Sequence, residues 1–191
     1  MKVVAINGSP HKNGNVAFML NYIGEKLTDL GVEFKIISAM EAVLSAKTPF
    51  CTACSSPCSK ICYQGTKLEI AFEDLANADF VILASPVYFG TVSAQLKAFF
   101  DKTRWIRQNK LLINKHGAAI SIGAAKYGGQ ETTLRALHDM MLVHGMSIVG
   151  DGSFESGAGH HGVCASLPIK DDHNAFARAN ALVERIKLIN K

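Results

Sequence analysis

Cys51, Cys54, Cys58 and Cys62 fall in one stretch, PFCTACSSPCSKICYQG, spaced Cys-x2-Cys-x3-Cys-x3-Cys, and the chain has one further cysteine, Cys164. Thiolates this close in sequence can meet at one inorganic centre without help from elsewhere in the fold. Three chemistries use such a set. An iron–sulfur cluster takes four thiolates, and compact cysteine runs supply them. Structural zinc also takes four, commonly as two Cys-x2-Cys pairs with a longer spacer. Two disulfides are the third, and they belong to an oxidising compartment.

Three further segments carry residues suited to a ligand. Gly8-Ser9-Pro10-His11-Lys12-Asn13-Gly14-Asn15 follows an apolar run and opens into a helical pattern. Backbone N–H groups, the Ser9 hydroxyl and the positive end of a helix would suit a phosphate, with His11 and Lys12 adding charge. It is neither a P-loop, since Asn-Val rather than Lys-Ser/Thr follows Gly14, nor a Gly-x-Gly-x-x-Gly fingerprint. Ser85-Pro86-Val87-Tyr88-Phe89-Gly90 sets paired aromatics after the run FVILA, as a planar ring would require. Gly123-Ala-Ala-Lys-Tyr-Gly-Gly-Gln130 lets the backbone approach a ligand and offers Tyr127 as another aromatic surface. An ordinary turn explains any one of these segments; all three at strand ends point to a common ligand.

The elements that must place them alternate. Strands are expected at Lys2–Asn7, Glu33–Ser38, Phe80–Ala84, Gly117–Ile122 and Met146–Val149. Helices are expected at Asn15–Leu30, Thr91–Arg107, Gln130–His144 and near Asn174–Ile189, with another after the cysteine loop. Five β–α units argue for a parallel sheet with helices on both faces, and ligands in such sheets sit beyond the carboxyl ends of the strands. Two segments break the alternation: the cysteine loop, Ala39 to about Lys67, and Gly150–Gly162. Loops of this length are usually functional or disordered. The cysteine loop is expected to leave the carboxyl edge of the second strand, beside the aromatic loops.

Composition narrows the function. At 191 residues, 48% hydrophobic and 19% charged, the chain reads as one soluble domain, 1–191, able to bury a core. No apolar run approaches a membrane span, and the amino terminus lacks the features of a secretory peptide, so a cytoplasmic setting with reduced thiols is expected. Net charge is +4 with the basic residues dispersed, which gives no footprint for nucleic acid. His138 and His144 flank an apolar helix face and read as structural. His160, His161 and Cys164 follow the glycine-rich stretch, the histidines either near a ligand or solvent-exposed and Cys164 as a bystander.

The stretches INGSPHKNGN, ASPVYFGTVSAQLKAFFDKT and GGQETTLRALHDMMLVHG, with the four-cysteine loop, resemble the flavodoxin-like NAD(P)H-dependent FMN reductases and, within them, the iron–sulfur flavoproteins. The resemblance implies an α/β flavodoxin-like doubly wound fold, a five-stranded parallel sheet of order 2-1-3-4-5 with a cysteine-rich insertion at about 48–66. It places Ser9, His11, Asn15 and Val16 at the FMN phosphate. It places Pro86, Val87, Tyr88, Phe89, Gly90, Tyr127, Gly128 and Gly129 around the ring, and makes Cys51, Cys54, Cys58 and Cys62 ligands of a [4Fe–4S] cluster. Two departures are visible: Val16 stands where the family commonly has Thr, and one extra residue precedes Cys58.

The implied function is electron transfer between FMN and the cluster, linking a one-electron carrier such as a ferredoxin to a reducible acceptor. A homodimer or homotetramer is also implied, because in that family a cluster approaches a neighbouring subunit's flavin. Two alternatives remain: an NAD(P)H-dependent FMN or quinone reductase with structural zinc or no metal, and a non-catalytic redox or metal sensor.

Overall fold

In the computed structural model, which describes residues 1–189, a parallel sheet is wrapped by helices on both faces. The elements are β1 (Lys2–Asn7), α1 (Asn15–Asp29), β2 (Glu33–Ser38), α2 (Ala39–Ser45), α3 (Lys67–Ala76), β3 (Phe80–Pro86), α4 (Ala94–Asp101), α5 (Arg104–Gln108), β4 (His116–Gly123), α6 (Gln130–Leu142), β5 (Ser147–Ile148), β6 (Val163–Ser166) and α7 (His173–Ile189). The order is β2-β1-β3-β4-β5, as expected, and every pairing is parallel.

Alternation along the strands divides the core. Val4, Ile6, Val81 and Leu83 face a cluster built with Leu96 and Phe99 of α4 and Leu137 of α6. Val3, Ala5, Phe80 and Ile82 face the other side, against Met19, Leu20 and Ile23 of α1 and Leu182 and Ile186 of α7. Side chains on a strand point to opposite faces in turn, so a strand buried on both sides must be apolar throughout. This is why β3 reads FVILA.

Three expectations are corrected. The fifth sheet position holds two short strands, making six in all: β5 pairs with His116–Gly117 and β6 with Ile120–Gly123 of the eight-residue β4. Between them the chain makes an excursion pinned by Asp151, fully buried, which accepts from the His160 N–H and lies 3.6 Å from Arg178 Nε. The expected helix over Thr91–Arg107 is two helices, because the Thr103 hydroxyl donates to the Phe100 carbonyl and ends α4. Finally, α2 occupies the start of the supposed cysteine loop, capped by Ser38 accepting from the Glu41 N–H. Among the described residues no helix is long and apolar enough to cross a membrane.

Candidate functional site

The first loop is shaped from within. The Asn7 side chain accepts from the Ser9 N–H (2.9 Å), and the Ser9 hydroxyl accepts from the His11 N–H (3.1 Å). Ser9 is nearly buried, so its hydroxyl organises the loop as well as facing it. Helix α1 then starts without a side-chain cap and without an acidic residue in its first turn. Its first amides and positive dipole end are therefore open to an anion. His11, Lys12 and Asn15 are exposed around this end, Lys12 reaching Glu41 at 3.3 Å. The Val16 side chain is buried in the core, leaving its N–H as the group it can offer.

Close packing fixes this loop to its neighbours. A Cβ on Gly8 would meet the Ala84 carbonyl at 2.8 Å and Leu96 Cβ at 2.9 Å, so only glycine fits between β3 and α4. The Ser93 hydroxyl, at the start of α4, donates to the Gly8 carbonyl, and the Ser93 N–H donates to Ser85 Oγ at 3.1 Å.

The second and third loops meet each other. Tyr88 and Thr91 pair across a tight turn whose central residues, Phe89 and Gly90, have φ of 50° and 79°. That turn lifts Phe89 fully into solvent, and Tyr127, at φ 58°, is also fully exposed. Strained non-glycine residues such as these gather where a ligand, not the core, is the partner. Gly129, at φ 99°, lies so near Gly90 and Val87 that a Cβ would come within 3.1 Å of both, and the Thr132 hydroxyl donates to the Gly90 carbonyl at 2.7 Å. Pro86 and Val87 are half-buried behind this pair, and Gly128 is exposed beside it. Two aromatic faces thus flank one sheet end, as a planar apolar ring needs, and an anion-accepting helix end lies beside them. This donor set fits FMN.

The cysteine loop is anchored by its backbone. Lys47 N–H donates to the Cys62 carbonyl (2.9 Å), Cys58 N–H to Gln108 Oε1 (2.8 Å) and Gly65 N–H to Glu69 Oε2 (2.7 Å). Lys60 pairs with Glu69 at 2.8 Å and lies over the Trp105 ring, and these donors hold the Glu69 carboxyl below the usual carboxylate range. The sulfurs stay free: no disulfide forms, and Cys51, Cys58 and Cys62 are half-buried while Cys54 is exposed. Among the described residues no three His, Cys, Asp or Glu side chains converge as metal ligands. Site formation is generally coupled to metal binding, which supplies the attraction that gathers thiolates.

Two buried polar groups meet this loop, and the sequence reading missed both. Lys102, 2% exposed at the end of α4, donates from Nζ to Cys62 Sγ at 3.5 Å. Tyr63, 1% exposed, packs edge-on to Phe72 and leaves its hydroxyl without a partner. Burial foremost, then Cys58 and Cys62, pushes that hydroxyl's pKa well above the ordinary phenol value. A buried amino group against the Cys62 sulfur and an unpartnered buried hydroxyl on the same loop fit an anionic, sulfur-ligated centre. The available signal was Lys102 falling three residues after Phe99, among inward positions of the helix pattern.

The loop meets the α4–α5 corner. The start of α4 touches the β1 and β3 ends, whereas Cys62 lies against Lys102 at its finish. The eight residues of α4 separate the two places by about 12 Å at 1.5 Å per residue. His160 and His161 line a separate cavity of 570 Å³ with Cys164 and Arg178, and burial pushes the Cys164 thiol up to about 11.

Residues 1–161 match the model of the NADPH-dependent FMN reductase family, and the chain belongs to that family. Along its whole length it is 35% identical to an iron–sulfur flavoprotein of Methanocaldococcus jannaschii, covering 100% of both chains. It is 34% identical to the iron–sulfur flavoprotein of Methanosarcina thermophila, over 100% of this chain and 98% of that one. In structure it is similar to the WrbA-like flavodoxin of Agrobacterium tumefaciens, with a TM-score of 0.68 at 18% identity over 98% of this chain and 95% of the other. That likeness shows the flavodoxin-like fold.

Proposed function

We propose that this chain is a redox flavoprotein that moves electrons between FMN and a [4Fe–4S] cluster, linking a one-electron carrier to a reducible acceptor. The observation that carries the reading is the set of four free thiols on one backbone-anchored loop, one of which, Cys62, meets the buried Lys102 amino group, in a chain related along its whole length to iron–sulfur flavoproteins. When bound, FMN supplies transfer of electrons singly or in pairs and the cluster supplies transfer one at a time.

The chain's own residues bind and orient. Ser9, His11, Asn15 and the Val16 N–H would hold the phosphate at the open end of α1. Pro86, Val87, Tyr88, Phe89 and Gly90 would border the ring from one loop, and Tyr127, Gly128 and Gly129 from the other. Cys51, Cys54, Cys58 and Cys62 would ligate the cluster. No acid, base or nucleophile is required.

A homodimer or homotetramer, a ferredoxin-type carrier and a cytoplasmic setting complete the reading. The assembly is supported by the separation of the two sites along α4, the setting by the free thiols. The second reading, a reductase with structural zinc or no metal, draws on the dispersed thiols. Alanine at each of the four cysteines distinguishes them. Each variant is expected to lose most of its iron and sulfide while keeping FMN, and Cys164→Ala to lose neither. Iron retained in all four variants, or lost in Cys164→Ala alone, would contradict the assignment.

A further inference from the structure

We propose that Lys102 is a positioning residue of the iron–sulfur site, its ammonium donating to the Cys62 thiolate and holding the cluster's reduction potential up. The inference rests on the cluster reading above. Lys102 is 2% exposed, and Cys62 Sγ at 3.5 Å is the side-chain acceptor it reaches. The carboxylate beside it in sequence, Asp101, pairs with Lys97 instead. Among the described residues no salt bridge involves Lys102. Burying an amino group is costly unless it has a partner, and the Cys62 sulfur is the side-chain partner this fold supplies.

An iron–sulfur centre held by four thiolates carries that negative charge and gains more when reduced. Hydrogen bonds to the sulfurs and nearby charge are the levers that set its potential. Lys102 supplies both. Its place is fixed by the helix it ends: the Lys102 N–H donates to the Phe99 carbonyl, and Phe99 is wholly buried. Gln108, on α5, holds the Cys58 N–H at 2.8 Å, so the α4–α5 corner grips the loop at two of its ligands. The Tyr63 hydroxyl, from the residue after Cys62, is buried on the same loop without a protein partner.

The test compares anaerobically prepared wild-type, Lys102→Met and Lys102→Arg proteins by iron, sulfide and flavin content and by a dithionite titration followed through the cluster's electron paramagnetic resonance. Met keeps the apolar stem and removes the charge; Arg keeps the charge. Lys102→Met is expected to retain flavin and to shift the one-electron reduction equilibrium at least tenfold toward the oxidised cluster, about 59 mV downward. Lys102→Arg should restore most of that shift, which a purely packing role would not predict. Unchanged potential and iron content in Lys102→Met would overturn the inference while leaving the cluster reading intact. Iron-free wild-type protein would remove both. If Lys102→Met does not fold, the unsubstituted protein labelled with 15N at lysine side chains decides. Spin-echo coupling of the reduced cluster to that nitrogen supports the hydrogen bond, and its absence rejects it.

Discussion

Thr103 has one hydroxyl proton, and its hydrogen bond to the Phe100 carbonyl at 2.6 Å uses it. The same oxygen lies 2.8 Å from His144 Nε2, so the imidazole must donate there, leaving Nδ1 without a partner. His144 is therefore held as the neutral Nε2–H form. Burial, with a smaller contribution from Arg107, lowers its pKa to about 4, and burial also lowers that of His138. A histidine whose folded pKa is depressed contributes stability that is complete above its unfolded value near 6.5. That contribution is lost as pH falls toward 4, because the unfolded chain then binds more protons. Unfolding free energy is expected to drop by about 2–3 kcal/mol between pH 7 and pH 4 on this account. Urea titrations across that range should show a shallower slope in His144→Gln; an identical slope would contradict it. The four clustered cysteines could be read directly because their chemistry lies in local spacing. Lys102 and the His144–Thr103 pair could not, because their meaning depends on which partner a corner brings within reach.

Among the elements, α4 is the spacer between the strand-end loops and the cysteine loop. Ser93 at its start ties it to the Gly8 carbonyl, and Lys102 after its finish meets Cys62. Within one chain the Ser93 and Cys62 contacts lie at opposite ends of this helix, which supports the proposed assembly. The protein is expected to be a dimer or larger by light scattering with cofactors intact; a monomer with full cofactors and electron transfer would refute this. Strands β1 and β3 were legible as short continuous apolar runs, and helices α1 and α6 because an unbroken period of 3.6 runs through them. Helix α2 carries a capping signal, Ser38-x-x-Glu41, but its seven residues make only two turns, too few for a helical period to stand out. The break between α4 and α5 carries no glycine or proline. It rests on a threonine bonding backward, which the apolar period of Phe99, Phe100 and Ile106 runs straight through. Strand β6, only four residues long and directly following the glycine-rich excursion, escapes the pattern because what defines it is the uncovered half of β4.

For the whole molecule, the sheet order followed from the resemblance, and the repeated β–α alternation is consistent with it. The position of the cysteine loop relative to the strand ends did not follow, since that depends on where α2 sends the chain. What unites sheet, loops and corner is the claim that one chain carries both a flavin and an iron–sulfur centre. The most direct test is an absorbance spectrum of anaerobically purified wild-type protein, with iron, zinc, acid-labile sulfide and FMN assayed on the same sample. Stoichiometric FMN is expected with about four iron and four sulfide per chain and a broad visible band that dithionite bleaches. Stoichiometric FMN with zinc, or with no metal and all five thiols titratable, would contradict it.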